Sequence, residues 1–468
     1  MRLLSKLAPL AILAALQGCS LAPVYHAPSV NLPAHYAEQA PGWRMVKPED
    51  QVPSAWWRLF KDPVLDALQD RLMQANPDLT AAVAHYDAAQ AYAQGLHGGL
   101  WPQASASASP VRQRQSDNRP LRGGTQPSVY DSNTLNLGVS FDLDLWGKLR
   151  NQVAAGDASA QASGDDLAAA RLSLQQHLAG LYFDLRGLDA QRRLLEKAVV
   201  EREQMVHLTH DRFVGNITSE LDLTRAQGQL AEAKAQVDEV IGQRNLAQHA
   251  IAELVGEMPD GFVVAESQTL ANPPDVPQEL PSSLLQRRPD IAAAERRVFA
   301  ANAGIGIARA AWYPDFSLLG AVGGQTQGAG NLLASANRTW AFGPVLQLPV
   351  LDGGRRNADE RKAQAEFEEA AARYRSKVLH AVREVEDSLV SVRDLAVEVQ
   401  DQNTAVVAAE NAERMAEDSY REGAVSYLSV LYAQADAIQT AQRLQALQVR
   451  QVQASLDLLV ATGGGWAG

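Results

Sequence analysis

No proline interrupts the chain between Ser128 and Met258, and none follows Pro349. An interior proline removes a helical hydrogen bond and collides with the preceding turn, so these two silent stretches can house very long helices. The prolines gather elsewhere. Seven lie within residues 23–63 (Pro23, Pro28, Pro33, Pro41, Pro48, Pro53 and Pro63) and predict an extended leader over residues 19–62. Six lie within residues 259–289 (Pro259, Pro273, Pro274, Pro277, Pro281 and Pro289) and predict a linker over residues 259–280 between two halves.

The halves resemble each other. Asn76-Pro77-Asp78-Leu79 recurs as Arg288-Pro289-Asp290-Ile291, and Trp101-Pro102 recurs as Tyr313-Pro314. Leu145-Trp146-Gly147-Lys148-Leu149-Arg150-Asn151 matches Leu351-Asp352-Gly353-Gly354-Arg355-Arg356-Asn357, and Phe213 to Gln227 matches Tyr420 to Gln434. Four matches in one order at nearly one offset indicate an internal duplication. Two copies are too few for a solenoid and predict one pseudo-symmetric domain. The expected division is residues 63–258 and 281–463, with a short tail at 464–468.

Within each copy the hydrophobic period changes. Leu135, Leu137, Val139, Phe141, Leu143 and Leu145 alternate with polar residues, as a half-buried strand does. Asp142 and Asp144 are expected on its polar face. Residues 104–112 predict a weaker partner strand. The second copy offers Phe316 to Val322 and Trp340 to Val350. Segments rich in Gly, Ser and Asn, residues 115–133 and 323–337, are expected to join the strands of each pair. Helical spacing follows each hairpin. Leu167, Leu174, Leu181, Leu188 and Leu195 fall every seventh residue, interleaved with Leu178, Leu185, Val199, Val206 and Phe213 and broken at Arg192. Such a seam predicts a coiled coil, with a helix from about 155 to 213. Val378, Val385, Val392, Val399 and Val406 repeat it. Returning helices are expected near 218–256 and 426–461.

Four strands cannot close a membrane-spanning barrel, since such barrels need about eight or more. An open sheet in lipid would strand its edge N–H and C=O groups. The chain must therefore pool its strands with copies of itself. Two copies give eight strands and three give twelve; helical hairpins that surround a pore favour the wider tube. The N-terminus agrees with export. Arg2 and Lys6 precede a short apolar run, Leu7 to Leu16, and residues 1–18 read as a signal peptide. Leu16-Gln17-Gly18-Cys19 resembles a lipobox, which makes Cys19, the single cysteine, the expected site of lipidation. Ser20 follows it, and the absence of an acidic residue there fits sorting to the outer membrane.

Several motifs then carry a resemblance over the whole mature chain: Ala55-Trp56-Trp57-Arg58-Leu59-Phe60, Asp142-Leu143-Asp144-Leu145-Trp146-Gly147, Arg288-Pro289-Asp290, Leu351-Asp352-Gly353-Gly354-Arg355 and Gly463-Gly464-Gly465-Trp466. In order and spacing they resemble the TolC/OprM-like outer-membrane factor family, in its NodT-type lipoprotein branch. The resemblance implies a mainly α fold with membrane β: a trimeric twelve-stranded β-barrel continued by a long antiparallel α-helical barrel. It implies a channel of a tripartite efflux system, lipid-anchored in the outer membrane of a Gram-negative bacterium. A periplasmic adaptor and an inner-membrane pump would be its partners.

The family places its gate at the helical tips. Here these are Arg212 to Ser219 and Ser419 to Ser426. Asn216 and Gly423 occupy matching places, and both residue types tolerate the positive φ of a tight turn. Thr218 or Ser219, and Ser426, are expected to cap the returning helices. Asp222 and Tyr420 match gate residues of the family, with Arg225 and Arg421 expected to pair with acids across the tip. Ser429 and Tyr432 stand where an acidic ring lies in TolC, which points to a different constriction.

The competing readings are an enzyme and a lipid-anchored periplasmic coiled-coil scaffold without a pore. His207 and His210 lack a third ligand, and no Ser-His-Asp or phosphate-loop pattern appears. Neither catalysis nor a cofactor beyond the lipid on Cys19 is expected. A net charge of −12 argues against a nucleic-acid partner.

Overall fold

The computed structural model describes residues 20–38, 53–118, 127–267, 270–274, 287–328 and 330–466. Cys19 and the expected signal peptide lie outside the described residues. In chain order the elements are a short 3-10 helix Trp56–Phe60, α1 Pro63–Ala75, α2 Pro77–Gly98, β1 Gln103–Arg114, β2 Val129–Asp142, α3 Lys148–Val214, α4 Glu220–Leu254, α5 Pro289–Ala310, β3 Asp315–Gln327, β4 Arg338–Gln347, α6 Arg355–Arg421 and α7 Tyr427–Ala461. The duplication is visible in helix length. α2 and α5 have 22 residues each, α3 and α6 have 67, and α4 and α7 have 35. At 1.5 Å per residue a 67-residue helix runs about 100 Å.

The chain forms two compact units. The first gathers the described residues of Met1–Ser29, His85–Gly164 and Ala293–Arg375. It holds one antiparallel sheet in the order β1-β2-β3-β4, so the two hairpins join through β2 and β3. Cross-strand register sorts the faces. Ala106, Leu137, Val322 and Trp340 form one row, and Ala104, Val139, Gly320 and Phe342 form the next. This face is apolar yet exposed, with Trp340 at 81% and Phe342 at 75%. On the other face Ser107, Asn136, Gly323 and Thr339 align, beside Ser105, Gly138, Ala321 and Ala341. Those rows carry no charge. β1 and β4 are the two edges, unpaired on their outer sides among the described residues.

Three expectations change here. Gly323 and Gly324 belong to β3, not to a connecting loop. A Cβ on Gly323 would lie 2.1 Å from the Leu135 carbonyl oxygen, so only glycine lets β2 and β3 approach at that point. β2 ends at Asp142, and β4 ends at Gln347 rather than Val350. Asp144 is therefore not on a strand face. It sits at φ 40° in the following turn, and its carboxylate accepts from the Leu149 and Arg150 amides at 2.8 and 2.9 Å. This cap is why α3 begins at Lys148, earlier than the seam alone predicts. Asp352 repeats the device, accepting from the Gly354 and Arg356 amides at 3.0 and 3.2 Å.

Residues 20–25 lie against α5 and the start of α3. The Ser20 hydroxyl donates to Asn151 at 3.0 Å, Asn302 donates to the Pro23 carbonyl at 2.9 Å, and the Tyr25 hydroxyl donates to Glu295. A Cβ on Gly306 would come within 2.9 Å of Ala22, so that glycine opens the seat for this segment.

The second unit gathers the described residues of Val30–Ala84, Asp165–Ala292 and Ser376–Gly468. Its main core joins Trp56, Trp57 and Phe60 to Leu65, Leu68 and Leu72 of α1, Tyr182 and Phe183 of α3, Ile251 of α4 and Leu456 of α7. The leader is thus not extended to residue 62. Aromatic burial turns residues 56–60 into a helix that closes this core. The linker is also docked at its start, with Phe262 and Val264 buried. Arg244 donates to the Val264 carbonyl at 2.8 Å, Gln248 to the Phe262 carbonyl at 2.7 Å, and Arg186 to the Ala265 carbonyl at 2.7 Å. Beneath that segment Asp189 binds Arg186 at 2.9 Å and Arg244 at 2.6 Å, all three buried. The seam is less uniform than its spacing. Leu167, Leu178, Leu185 and Leu195 are buried, while Phe213 is 37% exposed.

The Asn76-Pro77 and Arg288-Pro289 motifs fasten each returning helix. Asn76 donates to the Leu254 carbonyl at 2.8 Å, and Arg288 donates to the Ala461 carbonyl at 3.1 Å. Leu254 and Ala461 are equivalent positions, the last residues of α4 and α7. Gly256 and Gly463 follow at positive φ, where a Cβ would strike the Ala75 and Arg287 carbonyls.

Candidate functional site

The helical tips lie in the second unit and are built twice. α3 ends in a Schellman turn: Ile217 N–H donates to the Arg212 carbonyl at 2.8 Å and Asn216 N–H to the Phe213 carbonyl at 2.9 Å. α6 ends alike, with Ala424 N–H to the Ser419 carbonyl at 2.8 Å and Gly423 N–H to the Tyr420 carbonyl at 3.0 Å. Asn216 takes φ 61° and Gly423 φ 81°. Each turn exists because an αL-tolerant residue follows the last helical one.

α4 starts at a serine cap. Asp222 N–H donates to the Ser219 hydroxyl oxygen at 3.3 Å. The Asp222 carboxylate in turn accepts from the Thr218 hydroxyl at 2.8 Å and the Ser219 hydroxyl at 3.1 Å. Ser219 is the cap, while Ser426 makes no side-chain cap bond. The difference is chemical. Asp222 stands three residues after Ser219 and its carboxylate holds the capping hydroxyl, whereas Ser429, three after Ser426, has no carboxylate to do so.

Tyr420 is buried in a small cluster with Met205, Ala226, Tyr427 and Val430. Its ring lies 5.8 Å from that of Tyr427. Its hydroxyl is buried and has no hydrogen-bond partner. Burial pushes the Tyr427 phenol up to about 12, helped by Tyr420. Arg421 does not reach across the tip. It pairs within α6, with Asp418 at 3.2 Å and Glu417 at 3.7 Å. Those acids lie one turn back on the same helix face, the nearest partners for a basic residue in the last turn. Arg225 is exposed on α4, and no ion pair joins it to an acid among the described residues.

Arg202 and Glu413 carry no signal in the sequence, and Arg212 is legible there only as the start of the first tip. Arg212, in the last turn of α3, crosses to α6 and donates to the Tyr420 and Arg421 carbonyls at 3.0 and 3.2 Å. Its only local signal is a basic residue four positions before Asn216, which ordinary helix ends share. Arg202 and Glu413 line a small cavity between α3, α6 and α7 with Glu201 and Gln434. Burial lowers the Arg202 guanidinium. Burial, then Glu201 and Glu417, push the Glu413 carboxyl up to about 7.

The turns expose apolar side chains: Val214 at 67%, Ile217 at 66% and Leu221 at 57%. Tyr432 is also exposed. Among the described residues no group of three or more His, Cys, Asp and Glu side chains is placed to hold a metal ion. No helix among them is long and apolar enough to cross a membrane.

The family described as "Outer membrane efflux protein" matches residues 68–257 and 280–464. The chain is 30% identical over 457 residues to the antibiotic efflux pump outer membrane protein ArpC of Pseudomonas putida, spanning 96% of this chain and 93% of that protein. It is 28% identical over 464 residues to the cation efflux system protein CusC of Escherichia coli K12, spanning 98% and 99%. The solved structure of the outer membrane protein VceC from Vibrio cholerae superposes with a TM-score of 0.82 at 30% identity, over 88% of this chain and 98% of that one.

Proposed function

Because the chain belongs to the outer membrane efflux protein family, we propose that three copies close into one channel that opens at its helical tips. The chain is an outer-membrane efflux channel subunit. One observation carries the assembly: a four-stranded sheet with an exposed apolar face and two open edges. In lipid each unpaired edge group costs several kcal/mol, so β1 of one copy must meet β4 of the next. Three copies give twelve strands. Trp340, Phe342, Leu137 and Val322 then face lipid, and the serine, asparagine and threonine rows face the pore. That wall offers hydrogen bonds but no charge in its middle rows, which suits passive conduction of varied small molecules. A pore-less scaffold would leave Trp340 and Phe342 in water with nothing to cover them.

The finer partners follow from the same surfaces. The exposed Val214, Ile217 and Leu221 offer an apolar landing for a periplasmic adaptor, which would link the channel to an inner-membrane pump. Asp222 and Tyr420 hold the tip in its present form, Asp222 through the cap of α4 and Tyr420 through its buried ring. Arg225, with no ion pair to an acid among the described residues, can pair across copies. The lipid is assigned to Cys19 on the lipobox-like Leu16-Gln17-Gly18-Cys19, one residue before Ser20, which donates to Asn151 at 3.0 Å. In Cys19→Ala, metabolic labelling with a palmitate analogue is expected to vanish from the purified protein. Label retained at the wild-type level would place the lipid elsewhere.

Planar bilayers test the channel and its gate together. Detergent-extracted wild-type trimer is expected to conduct weakly, and Asp222→Ala with Tyr420→Ala to conduct several-fold more. A stable, non-conducting monomer would sink the channel. Equal conductance of wild type and double variant would sink the gate.

A further inference from the structure

We infer that Arg212 is the clasp that holds the two hairpin tips of one chain together. It is a positioning residue, acting on the end of α6. The inference rests on the reading that the tips open.

Three contacts converge on one guanidinium. Nη1 donates to the Tyr420 carbonyl at 3.0 Å and to the Arg421 carbonyl at 3.2 Å. The guanidinium carbon lies 4.6 Å from the centre of the Tyr420 ring. Tyr420 and Arg421 end α6, where carbonyls lack the next helical N–H; the Tyr420 oxygen takes the Gly423 N–H at 3.0 Å, and Arg212 adds a second donor to it and one to the Arg421 oxygen. A cation there also meets the negative end of the helix dipole. The planar guanidinium lies over the ring and bonds the main chain at once, with a forked donor set and a flat face that a lysine ammonium lacks. Its Nε is buried and unpartnered among the described residues, while the side chain as a whole is half-buried.

The other candidate fastenings are occupied or idle. The Asp222 carboxylate is engaged by Thr218 and Ser219 in its own hairpin. The Tyr420 hydroxyl has no partner. Tyr420 therefore meets Arg212 through its ring, which also packs on Tyr427, and through its main-chain oxygen. If α3–α4 and α6–α7 separate at their tips, these contacts must break first.

The test compares Arg212→Ala, Arg212→Lys and Tyr420→Phe with the Asp222→Ala/Tyr420→Ala protein in planar bilayers, on trimers that resist heat in SDS. Loss of a charge-assisted hydrogen bond corresponds to about a tenfold change in population. Arg212→Ala is expected to raise the open fraction about tenfold or more by that measure. Arg212→Lys should give an intermediate rise, since it keeps the charge and one bond but loses the stack. Tyr420→Phe, which deletes an unbonded hydroxyl, should have much the smaller effect. Should Arg212→Ala fail to assemble, the lysine variant decides: conductance equal to wild type overturns the clasp. Arg212→Ala matching wild type while the double variant opens overturns the clasp and leaves the gate standing. If neither opens, gate and clasp fall together. Tyr420→Phe opening as widely as Arg212→Ala would assign the fastening to the hydroxyl instead.

Discussion

Replacing Asp189 with alanine is expected to destabilise the protein by about 3–5 kcal/mol, the range for breaking a buried ion pair from one side. Its carboxylate has no exposure and bridges Arg186 at 2.9 Å and Arg244 at 2.6 Å. It also accepts from the Ser267 amide at 3.3 Å. Removal would leave two buried guanidinium groups facing each other without an anion. Both arginines also hold the 264–265 backbone, so the docked start of the linker would loosen with them. Urea unfolding of the detergent-extracted protein, followed by tryptophan fluorescence, measures the change, because Trp56 and Trp57 sit in the adjoining core. A midpoint within error of wild type would show that the triad contributes nothing net. Asp189→Asn should fall between the two, since it keeps hydrogen bonds but not charge.

Gly323→Val is expected to abolish assembly of the barrel. A Cβ there would stand 2.1 Å from the Leu135 carbonyl oxygen and 3.0 Å from the Asn136 Cα. Both are backbone atoms of the neighbouring strand and cannot swing aside. Strands spaced about 4.8 Å apart would have to part, and among the described residues β2–β3 is the pairing that joins the two hairpins. The heat-resistant trimer and the outer-membrane fraction should both disappear. Gly320→Ala is the matched control: its Cβ would meet only Phe342 at 3.7 Å, an ordinary contact. Gly323→Val assembling as well as Gly320→Ala would show that the strands can shift to admit it.

Gly323 also marks where sequence alone stops. Two adjacent glycines amid serines and asparagines read as a loop, because the reason for them lies in a strand some 190 residues away in the chain. Trp56 and Phe60 were hidden in the same way. Proline-rich surroundings suggest an extended leader, and only the pocket formed by α1, α3, α4 and α7 makes a helix there worthwhile. What depended on local chemistry was legible. The missing prolines gave the long helices, strict alternation gave β2, and Asn216 and Gly423 marked the turns. The repeated Asn76-Pro77 and Arg288-Pro289 motifs were visible as a repeat but not as clasps, since Leu254 and Ala461 meet them only in three dimensions. At the tip, Arg212 looked like any basic residue near a helix end. Its reach to Tyr420 depends on packing between hairpins, for which periodicity carries no signal. Arg421 shows the converse, a residue expected to cross the tip that found acids on its own helix.

The matched lengths of α3 with α6 and of α4 with α7 set the symmetry a docking protein meets. Around a ring of three chains the backbone repeats at every hairpin, twice as often as the amino acids do, with asparagine corners alternating with glycine corners. A docking ring that feels mainly shape can engage all corners with one repeated surface. A ring that reads side chains must carry two kinds of finger, and swapping Asn216 for glycine would tell these designs apart.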